Sequence, residues 1–196
     1  RIHYRWKYKS DCFSALRGMK MEFTEKTLSS KVAYDGKVVH VEYDEIETAD
    51  GHKSFREVVR HPGGVVVVAE TNEGKVLLVK QYRYPLSKTN LELPAGKLEY
   101  GENPDEACKR ELEEETGYDA GTWESLGYIN TTPGICDEKL YLYYAKDLTY
   151  NKPHPDEGEI LQLFEYTKDE VFAMIKNGEI NDSKTLCALL RAYKID

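Results

Sequence analysis

Two segments decide the fold of this chain: Gly96-Lys-Leu-Glu-Tyr-Gly-Glu102 and Arg110-Glu-Leu-Glu-Glu-Glu-Thr-Gly117. The residues between them predict the start of a helix, because Asn103 is a typical N-cap and Pro104 suits the first helical position. Gly117 provides the left-handed conformation in which many helices end. The sequence therefore predicts a short glycine-bearing loop followed by a helix rich in carboxylates.

Three glutamates of this helix share one face. Glu111 and Glu115 are four residues apart, and Glu114 is three residues from Glu111, so the three side chains cover one patch of surface. Two carboxylates ~4 Å apart repel each other by about 1 kcal/mol in water and about 4 kcal/mol at an effective dielectric constant of 20. A cation such as Mg²⁺ or Mn²⁺ would turn this repulsion into coordination, since both prefer oxygen ligands. A solvated acidic helix face is the alternative that the spacing leaves open.

The full set of spacings resembles the Nudix box. Five residues separate the first two fixed positions of that motif, and seven separate the second from the third. The fixed positions are Gly96, Glu102, Arg110, Glu111, Leu112, Glu114, Glu115 and Gly117. The chain departs from the family at Tyr118, where an aliphatic residue is usual.

Shorter motifs across residues 21–195 resemble the bacterial ADP-ribose pyrophosphatases within that family. They are Arg56-Glu-Val-Val, His61-Pro-Gly, Val79-Lys-Gln-Tyr-Arg83, Glu92-Leu-Pro-Ala-Gly96-Lys, Thr132-Pro-Gly with Asp137-Glu138, Asp156-Glu-Gly-Glu159 and Asp182-Ser-Lys-Thr-Leu. Pro133 lies fifteen residues past the end of the box, a position that the family uses for ADP-ribose activity. The resemblance implies Mg²⁺-dependent hydrolysis of ADP-ribose to AMP and ribose 5-phosphate, with Mn²⁺ as a possible substitute metal. Hydrolysis of other nucleoside diphosphate sugars is the alternative within the enzyme class. A second alternative is a non-catalytic module that binds ADP-ribose, against which the intact box argues.

The resemblance also implies how the metal is held. Its ligands would be Glu111, Glu114, Glu115 and the main-chain carbonyl of Ala95. Arg110 would orient the neighbouring carboxylates in a structural and catalytic role. Glu102 is expected to brace the loop rather than to bind metal.

The catalytic base is expected far from the box, because the resembling enzymes take it from a mobile loop late in the chain. Residues 151–158 form a polar segment rich in proline, and Glu157 and Glu159 lie in or next to it. Glu157 is the preferred candidate, and Glu114 and Glu138 come next. The alternative for either loop glutamate is an ordinary solvated charge.

Substrate contacts are expected from five residues outside the helix. Arg56 and Arg83 resemble the family's phosphate- and ribose-binding arginines, and a planar guanidinium suits paired oxyanions. Tyr34 is a candidate for stacking on adenine, with core packing as the alternative. Glu138 is a candidate for contact with the terminal ribose, and Pro133 completes the set.

The order of elements predicts an α/β sandwich around a mixed sheet, preceded by an N-terminal antiparallel β-sheet subdomain. The resemblance implies that this sandwich is the Nudix fold, an α/β/α arrangement. Residues 1–18 are basic and aromatic and are interpreted as a leader without function, residues 19–60 as the N-terminal subdomain and residues 61–196 as the Nudix domain. Apolar runs at 63–69 and 75–81 are predicted to pair as a hairpin, and helices are predicted at 168–177 and 182–193.

The composition limits the kinds of partner that the protein can bind. The net charge of −8 argues against nonspecific binding to nucleic acid, and no apolar run approaches the ~18 residues of a membrane span. The four cysteines, Cys12, Cys108, Cys136 and Cys187, are widely scattered, which is typical of reduced thiols in the cytoplasm. A three-stranded sheet is too small to bury both of its faces, and the resembling enzymes solve this by forming a homodimer across their N-terminal sheets. A homodimer is therefore expected.

Overall fold

The computed structural model describes residues 23–152 and 160–194. The predicted leader at 1–18 lies outside them. The elements in chain order are β1 (Glu25–Asp35), β2 (His40–Thr48), β3 (Lys53–Arg60), β4 (Gly64–Ala69), β5 (Lys75–Arg83), a 3-10 turn (Tyr84–Leu86), β6 (Lys88–Glu92), β7 (Ala95–Lys97), α1 (Pro104–Thr116), β8 (Tyr118–Asn130), β9 (Lys139–Tyr150), β10 (Leu161–Thr167), α2 (Lys168–Asn177) and α3 (Ser183–Tyr193).

The strands form three sheets. The N-terminal sheet has the antiparallel order β1-β2-β3. A second antiparallel sheet has the order β10-β5-β6, and a four-stranded mixed sheet has the order β7-β4-β9-β8. The mixed character comes from β4 and β9, which run parallel, while both outer pairs are antiparallel. The predicted α/β fold around a mixed sheet is confirmed.

The layers follow from the alternation of side chains along β4. Val65, Val67 and Ala69 pack into one core with α1, while Val66 and Val68 pack into a second core with α2 and α3. Because successive residues of a strand point to opposite faces, a strand buried on both faces consists entirely of apolar residues. Every residue of β4 is buried, as this arrangement requires.

The predicted hairpin between residues 63–69 and 75–81 is wrong. The turn forms, with the Gly74 amide donating to the Thr71 carbonyl at 2.8 Å, but β4 and β5 then enter different sheets. A single bridge between Glu70 and Val76 joins the two strands. The apolar residues of both runs, 65–69 and 76–79, are buried and do not alternate with polar ones, so their sequences do not identify the strand that each run pairs with.

The ends of α1 form as predicted. The Asn103 side chain accepts a hydrogen bond from the Asp105 amide at 3.1 Å. Gly117 adopts φ 73°, and its amide donates to the Glu113 carbonyl at 2.8 Å. The predicted second and third helices also form, with Asp182 as the N-cap of α3 rather than its first residue. In the part of the chain that the structure describes, no helix is long and apolar enough to cross a membrane.

The N-terminal sheet contacts the later part of the chain through its edge strand β3. The Val59 amide donates to the Ile135 carbonyl at 2.8 Å, and Arg60 is paired with Asp137 at 3.2 Å. Ile46 is buried within the single chain, but Val32 and Val38 are 57% and 66% exposed. The sheet therefore has an apolar surface that the other described residues leave exposed.

Candidate functional site

A cavity of about 650 Å³ opens between α1, the loop that precedes it and the start of α3. We call the side with Arg110, Glu111, Glu114 and Glu115, together with Glu102 behind Arg110, the carboxylate wall. The side with Arg83, Asp182 and Lys184, together with Glu92 behind Arg83, is the balanced wall. Both walls line the same space.

Arg110 organises the carboxylate wall. Its Nη1 donates to Glu111 Oε1 at 2.8 Å and to Glu114 Oε2 at 3.0 Å. Its Nε and Nη2 each donate to the carboxylate of Glu102 at 3.0 Å, which makes a forked pair. The hydrogen bond from Arg110 lowers the pKa of Glu102, and the same bond is the main reason that the pKa of Arg110 is raised. Glu102 also accepts the Glu99 amide at 2.8 Å, in agreement with the predicted bracing of the loop.

Glu111 and Glu115 lie against the backbone of β7. The Ala95 amide donates to Glu115 Oε2 at 3.0 Å. Gly96 lies directly beneath the carboxylate of Glu111: a Cβ at this position would come within 1.9 to 2.0 Å of the three carboxylate atoms. The first glycine of the motif is therefore required by the close approach of a functional side chain to the backbone.

The donor set on this wall fits a divalent cation. Glu102, Glu111 and Glu114 bond to the guanidinium of Arg110, and Glu115 lines the same cavity. Carboxylate oxygens are the ligands that Mg²⁺ prefers. Within residues 23–152 and 160–194, no three acidic, histidine or cysteine side chains already converge on one metal position. Glu111 and Glu114 each accept a hydrogen bond from Arg110 through one carboxylate oxygen, so Arg110 fixes the orientation of two of the predicted metal ligands.

The balanced wall carries alternating charges. Arg83 donates to both oxygens of Glu92, from Nε at 2.9 Å and from Nη2 at 2.6 Å. Lys184 donates to the same Glu92 carboxylate and to Asp182 at 3.0 Å. Glu92 is a buried carboxylate with 2% of its side chain exposed. Burial by itself would raise its pKa, but the two cations outweigh that effect and lower the pKa to about 2.

A second cavity of about 550 Å³ lies beside the N-terminal sheet and contains Arg56 and Pro133. Arg56 is paired with Glu25 through Nε at 2.9 Å and through Nη2. Tyr34 is 61% exposed on β1 and belongs to neither hydrophobic core of the described residues. Of the predicted substrate-binding residues, Arg83 and Glu138 thus line the first cavity, whereas Arg56 and Pro133 line the second.

Comparison with known proteins agrees with this arrangement. The model of the NUDIX domain matches residues 60–189. The chain belongs to the Nudix family. It is 47% identical to the methanol dehydrogenase activator of Bacillus methanolicus, over 85% of this chain and 91% of the relative. It is 40% identical to the ADP-ribose pyrophosphatase of Bacillus subtilis strain 168, over 84% of this chain and 90% of the relative. A solved structure described as an ADP compounds hydrolase superimposes with a TM-score of 0.81 at 21% identity, over 89% of this chain and 95% of the other.

The candidates for the catalytic base differ in where they lie relative to this Nudix site. Glu138 lines the first cavity, 3.4 Å from His61 Nδ1. Glu157 and Glu159, the predicted base candidates, lie outside the described residues.

Sequence reasoning missed the contribution of Glu92, Asp182 and Lys184 to the site. They appeared only as parts of motifs without assigned roles. The one available signal was the presence of a carboxylate between two apolar residues in Leu91-Glu-Leu93, where burial requires a cationic partner.

Proposed function

We propose that this Nudix protein hydrolyses the pyrophosphate bond of ADP-ribose and releases AMP and ribose 5-phosphate. The observation that carries the proposal is the single cavity that brings the carboxylates of α1 together with Arg83. A nucleoside diphosphate sugar requires both features: charge neutralisation at the diphosphate and directional hydrogen-bond donors for its oxygen atoms. The 40% identical relative that is named an ADP-ribose pyrophosphatase supports the same substrate.

Glu111, Glu114, Glu115 and the main-chain carbonyl of Ala95 are the proposed ligands of Mg²⁺, with Mn²⁺ able to replace it. The bound metal supplies neutralisation of the diphosphate charge and a water of lowered pKa. Arg110 keeps the carboxylates in place and lies close enough to bond with two of them at once. Its forked pair with Glu102 fixes the guanidinium plane, so that the geometry of the wall is set before substrate arrives.

Residues outside the metal site are proposed to activate the attacking water and to bind the substrate. We propose Glu157 as the group that orients and deprotonates the attacking water, with Glu159, Glu114 and Glu138 as the successive alternatives. Arg83 donates to the substrate from the balanced wall, and Glu138 contacts the terminal ribose. Glu157→Gln should lower kcat strongly with a small change in KM, and the same result confined to Glu159→Gln would move the assignment by two residues.

The N-terminal sheet supports a homodimer in which each subunit completes the other's site. Tyr34, Arg56 and Pro133 do not line the first cavity of a single chain. Val32 and Val38, close to Tyr34 in sequence, are exposed as well. A two-fold interface uses the same surface from both subunits, so it would cover both exposed sheets. The adenine end of the substrate would then lie at this interface. Light scattering at micromolar concentration tests the proposal, and a fully active monomer of 22.6 kDa would contradict it.

The substrate is tested by a panel of nucleoside diphosphate sugars with product identification. ADP-ribose should give the highest kcat/KM, with AMP and ribose 5-phosphate as products, and EDTA should abolish turnover. A higher kcat/KM for another nucleoside diphosphate sugar would favour the broader hydrolase. Tight binding of ADP-ribose without turnover would favour the non-catalytic module. We place the protein in the cytoplasm, because its scattered cysteines fit a reducing compartment.

A further inference from the structure

Lys184 is a cation whose only charged partners within the described residues are two carboxylates of the balanced wall. Its ammonium donates to Glu92 and to Asp182, and 14% of its side chain is exposed. It lies one residue inside the start of α3, in the segment Asp182-Ser-Lys-Thr to which motif chemistry assigns no role. Lysine side chains are rarely buried to this extent unless they are paired with an opposite charge.

Four side chains form a line of alternating charge in the order Asp182, Lys184, Glu92, Arg83. Each of the two inner members has an oppositely charged partner on both sides. Arg83 lines the cavity together with Lys184 and Asp182, and its Nε and Nη2 are used by Glu92. Within the described residues, Nη1 of Arg83 makes no hydrogen bond, so its two N–H groups remain for a ligand.

The opposite end of the line is fixed to the fold. The Asp182 carboxylate caps α3, accepting from the Thr185 amide at 3.0 Å and from its hydroxyl at 2.7 Å. The Thr185 hydroxyl oxygen in turn accepts from the amide of Leu93 at 3.0 Å, the residue after Glu92. The start of α3 and the end of β6 are thus joined both by this hydroxyl and by Lys184.

We propose that Lys184 is a positioning residue for substrate binding, which holds Glu92 so that the guanidinium of Arg83 keeps the orientation that binds the oxygen atoms of a nucleoside diphosphate sugar. This inference rests on the proposed function. Glu92 is the only acceptor of Arg83 among the described residues, so the carboxylate's orientation sets the direction of the free Nη1 donors. With Lys184 removed, one of the two cations that fix Glu92 is lost, and Asp182 loses its cationic partner.

Lys184→Met tests the inference because methionine keeps much of the length and volume of the side chain without its charge. We expect KM to rise about tenfold, the scale of one charge-assisted hydrogen bond, with kcat changed less than threefold. The Mg²⁺ concentration that gives half-maximal activity should stay the same, since the carboxylate wall is untouched. Lys184→Arg should restore KM to within about threefold of the wild type, because arginine retains the charge and several donors.

A double-mutant cycle with Arg83→Ala separates positioning from general damage to the fold. If Lys184 acts through Arg83, Lys184→Met should raise KM by less than twofold in the Arg83→Ala background. A full tenfold effect in that background would mean that Lys184 acts independently, and it would overturn the proposal. Unchanged KM for Lys184→Met in the wild-type background would also overturn it. Lys176→Met is the matched control, since Lys176 is an exposed lysine in the last turn of α2 that makes no ion pair within the described residues.

Asp182→Asn provides a second route if Lys184→Met does not fold. Asparagine is an equally good N-cap, so α3 keeps its start while Lys184 loses a charge partner. KM should rise by about threefold in the same direction, and again only while Arg83 is present. No rise in KM would overturn the proposal.

The double-mutant cycle tests the positioning role of Lys184, and the substrate panel tests the proposed function, so a negative result in one does not decide the other. Wild-type enzyme that leaves ADP-ribose intact in the panel contradicts the proposed function alone, and the cycle then uses the nucleoside diphosphate sugar with the highest kcat/KM. If none is hydrolysed, the dissociation constant of ADP-ribose, measured by calorimetry, takes the place of KM. In every case, additive effects of the two substitutions count against the positioning role.

Discussion

The carboxylate wall and the balanced wall line one cavity, but they hold their charges in different ways. The first wall has four carboxylates, Glu102, Glu111, Glu114 and Glu115, and one cation, Arg110, which bonds to the first three, so its formal charge is −3. On the second, two cations and two carboxylates alternate and leave no formal charge. The first wall therefore has electrostatic energy to gain from a cation, and the second does not.

This difference assigns different tasks to the two walls. Like charges held together by the fold are costly until a metal arrives, and sites that work against the stability of their own fold are typical of function. Paired charges in a buried network contribute little net stability compared with apolar residues, but they fix geometry. We therefore expect charge changes on the carboxylate wall to abolish chemistry, and changes on the balanced wall to alter stability and substrate affinity.

The largest effect is expected from Glu115→Gln. Glutamine keeps an oxygen that can accept the Ala95 amide, so the fold is retained while the charge is lost. Turnover should fall by about a thousandfold or more, the scale seen when a group that stabilises transition-state charge is removed. Glu111→Gln should behave alike. Unaltered turnover by either variant, or by wild type in EDTA, would contradict the metal site.

The next largest effect is expected from Gly96→Ala, because the added Cβ would overlap the carboxylate of Glu111. The overlap is with the end of a flexible side chain, so we expect Glu111 to move and the melting temperature to change little. A misplacement of about 1 Å can cost about a hundredfold in rate. Combining the change with Glu111→Asp should cost less than the product of the two single changes, since aspartate vacates the space. Wild-type activity for Gly96→Ala would contradict the close approach.

On the balanced wall, Glu92→Gln should chiefly reduce stability above pH 5. The folded-state pKa of Glu92 is about 2, below the ~4.3 expected for the unfolded chain, so ionised Glu92 stabilises the fold above the unfolded value. That contribution is about 2–3 kcal/mol, and it is lost as the pH falls from about 4.5 to 2. Denaturant titrations at pH 7 and pH 3 should show a difference between wild type and variant that shrinks at pH 3. An equal difference at both pH values would contradict this assignment.

The carboxylate wall could be predicted from sequence because its information is local. Asn103, Pro104 and Gly117 fix the ends of one helix, and the spacing of Glu111, Glu114 and Glu115 then fixes their common face. The close approach of Gly96 to Glu111 needs only the loop that leads into that helix. A single supersecondary unit thus specifies most of this wall.

The balanced wall could not be predicted in the same way, because Arg83, Glu92 and Lys184 come from β5, β6 and α3. Lys184 and Glu92 are 92 residues apart, and no local pattern pairs them. The mistaken hairpin has the same cause, since the partners of β4 are β7 and β9, which lie later in the chain. Sequence periodicity identifies buried strands, but it does not show which strands they pair with.

Of the substitutions at Glu115, Gly96, Glu92 and Arg110, Arg110→Lys should have the smallest effect. It is also the most direct test of how the two walls differ. It leaves the formal charge of the carboxylate wall at −3, so only the geometry of the cation changes. Arginine contacts Glu102 through a planar fork while its Nη1 reaches Glu111 and Glu114, whereas lysine is a compact point charge that cannot span all three carboxylates. We expect kcat to fall about tenfold, the value of roughly one lost charge-assisted hydrogen bond in place.

Arg110→Met separates the two contributions of this arginine. If the fork positions the carboxylates, kcat for Arg110→Lys should lie closer to that of Arg110→Met than to wild type. If only the positive charge matters, Arg110→Lys should retain nearly full kcat while Arg110→Met loses it. That second pattern would mean that the carboxylate wall, unlike the balanced wall, depends on charge alone. The two walls would then differ in kind, because the fixed geometry of a guanidinium would matter on only one of them.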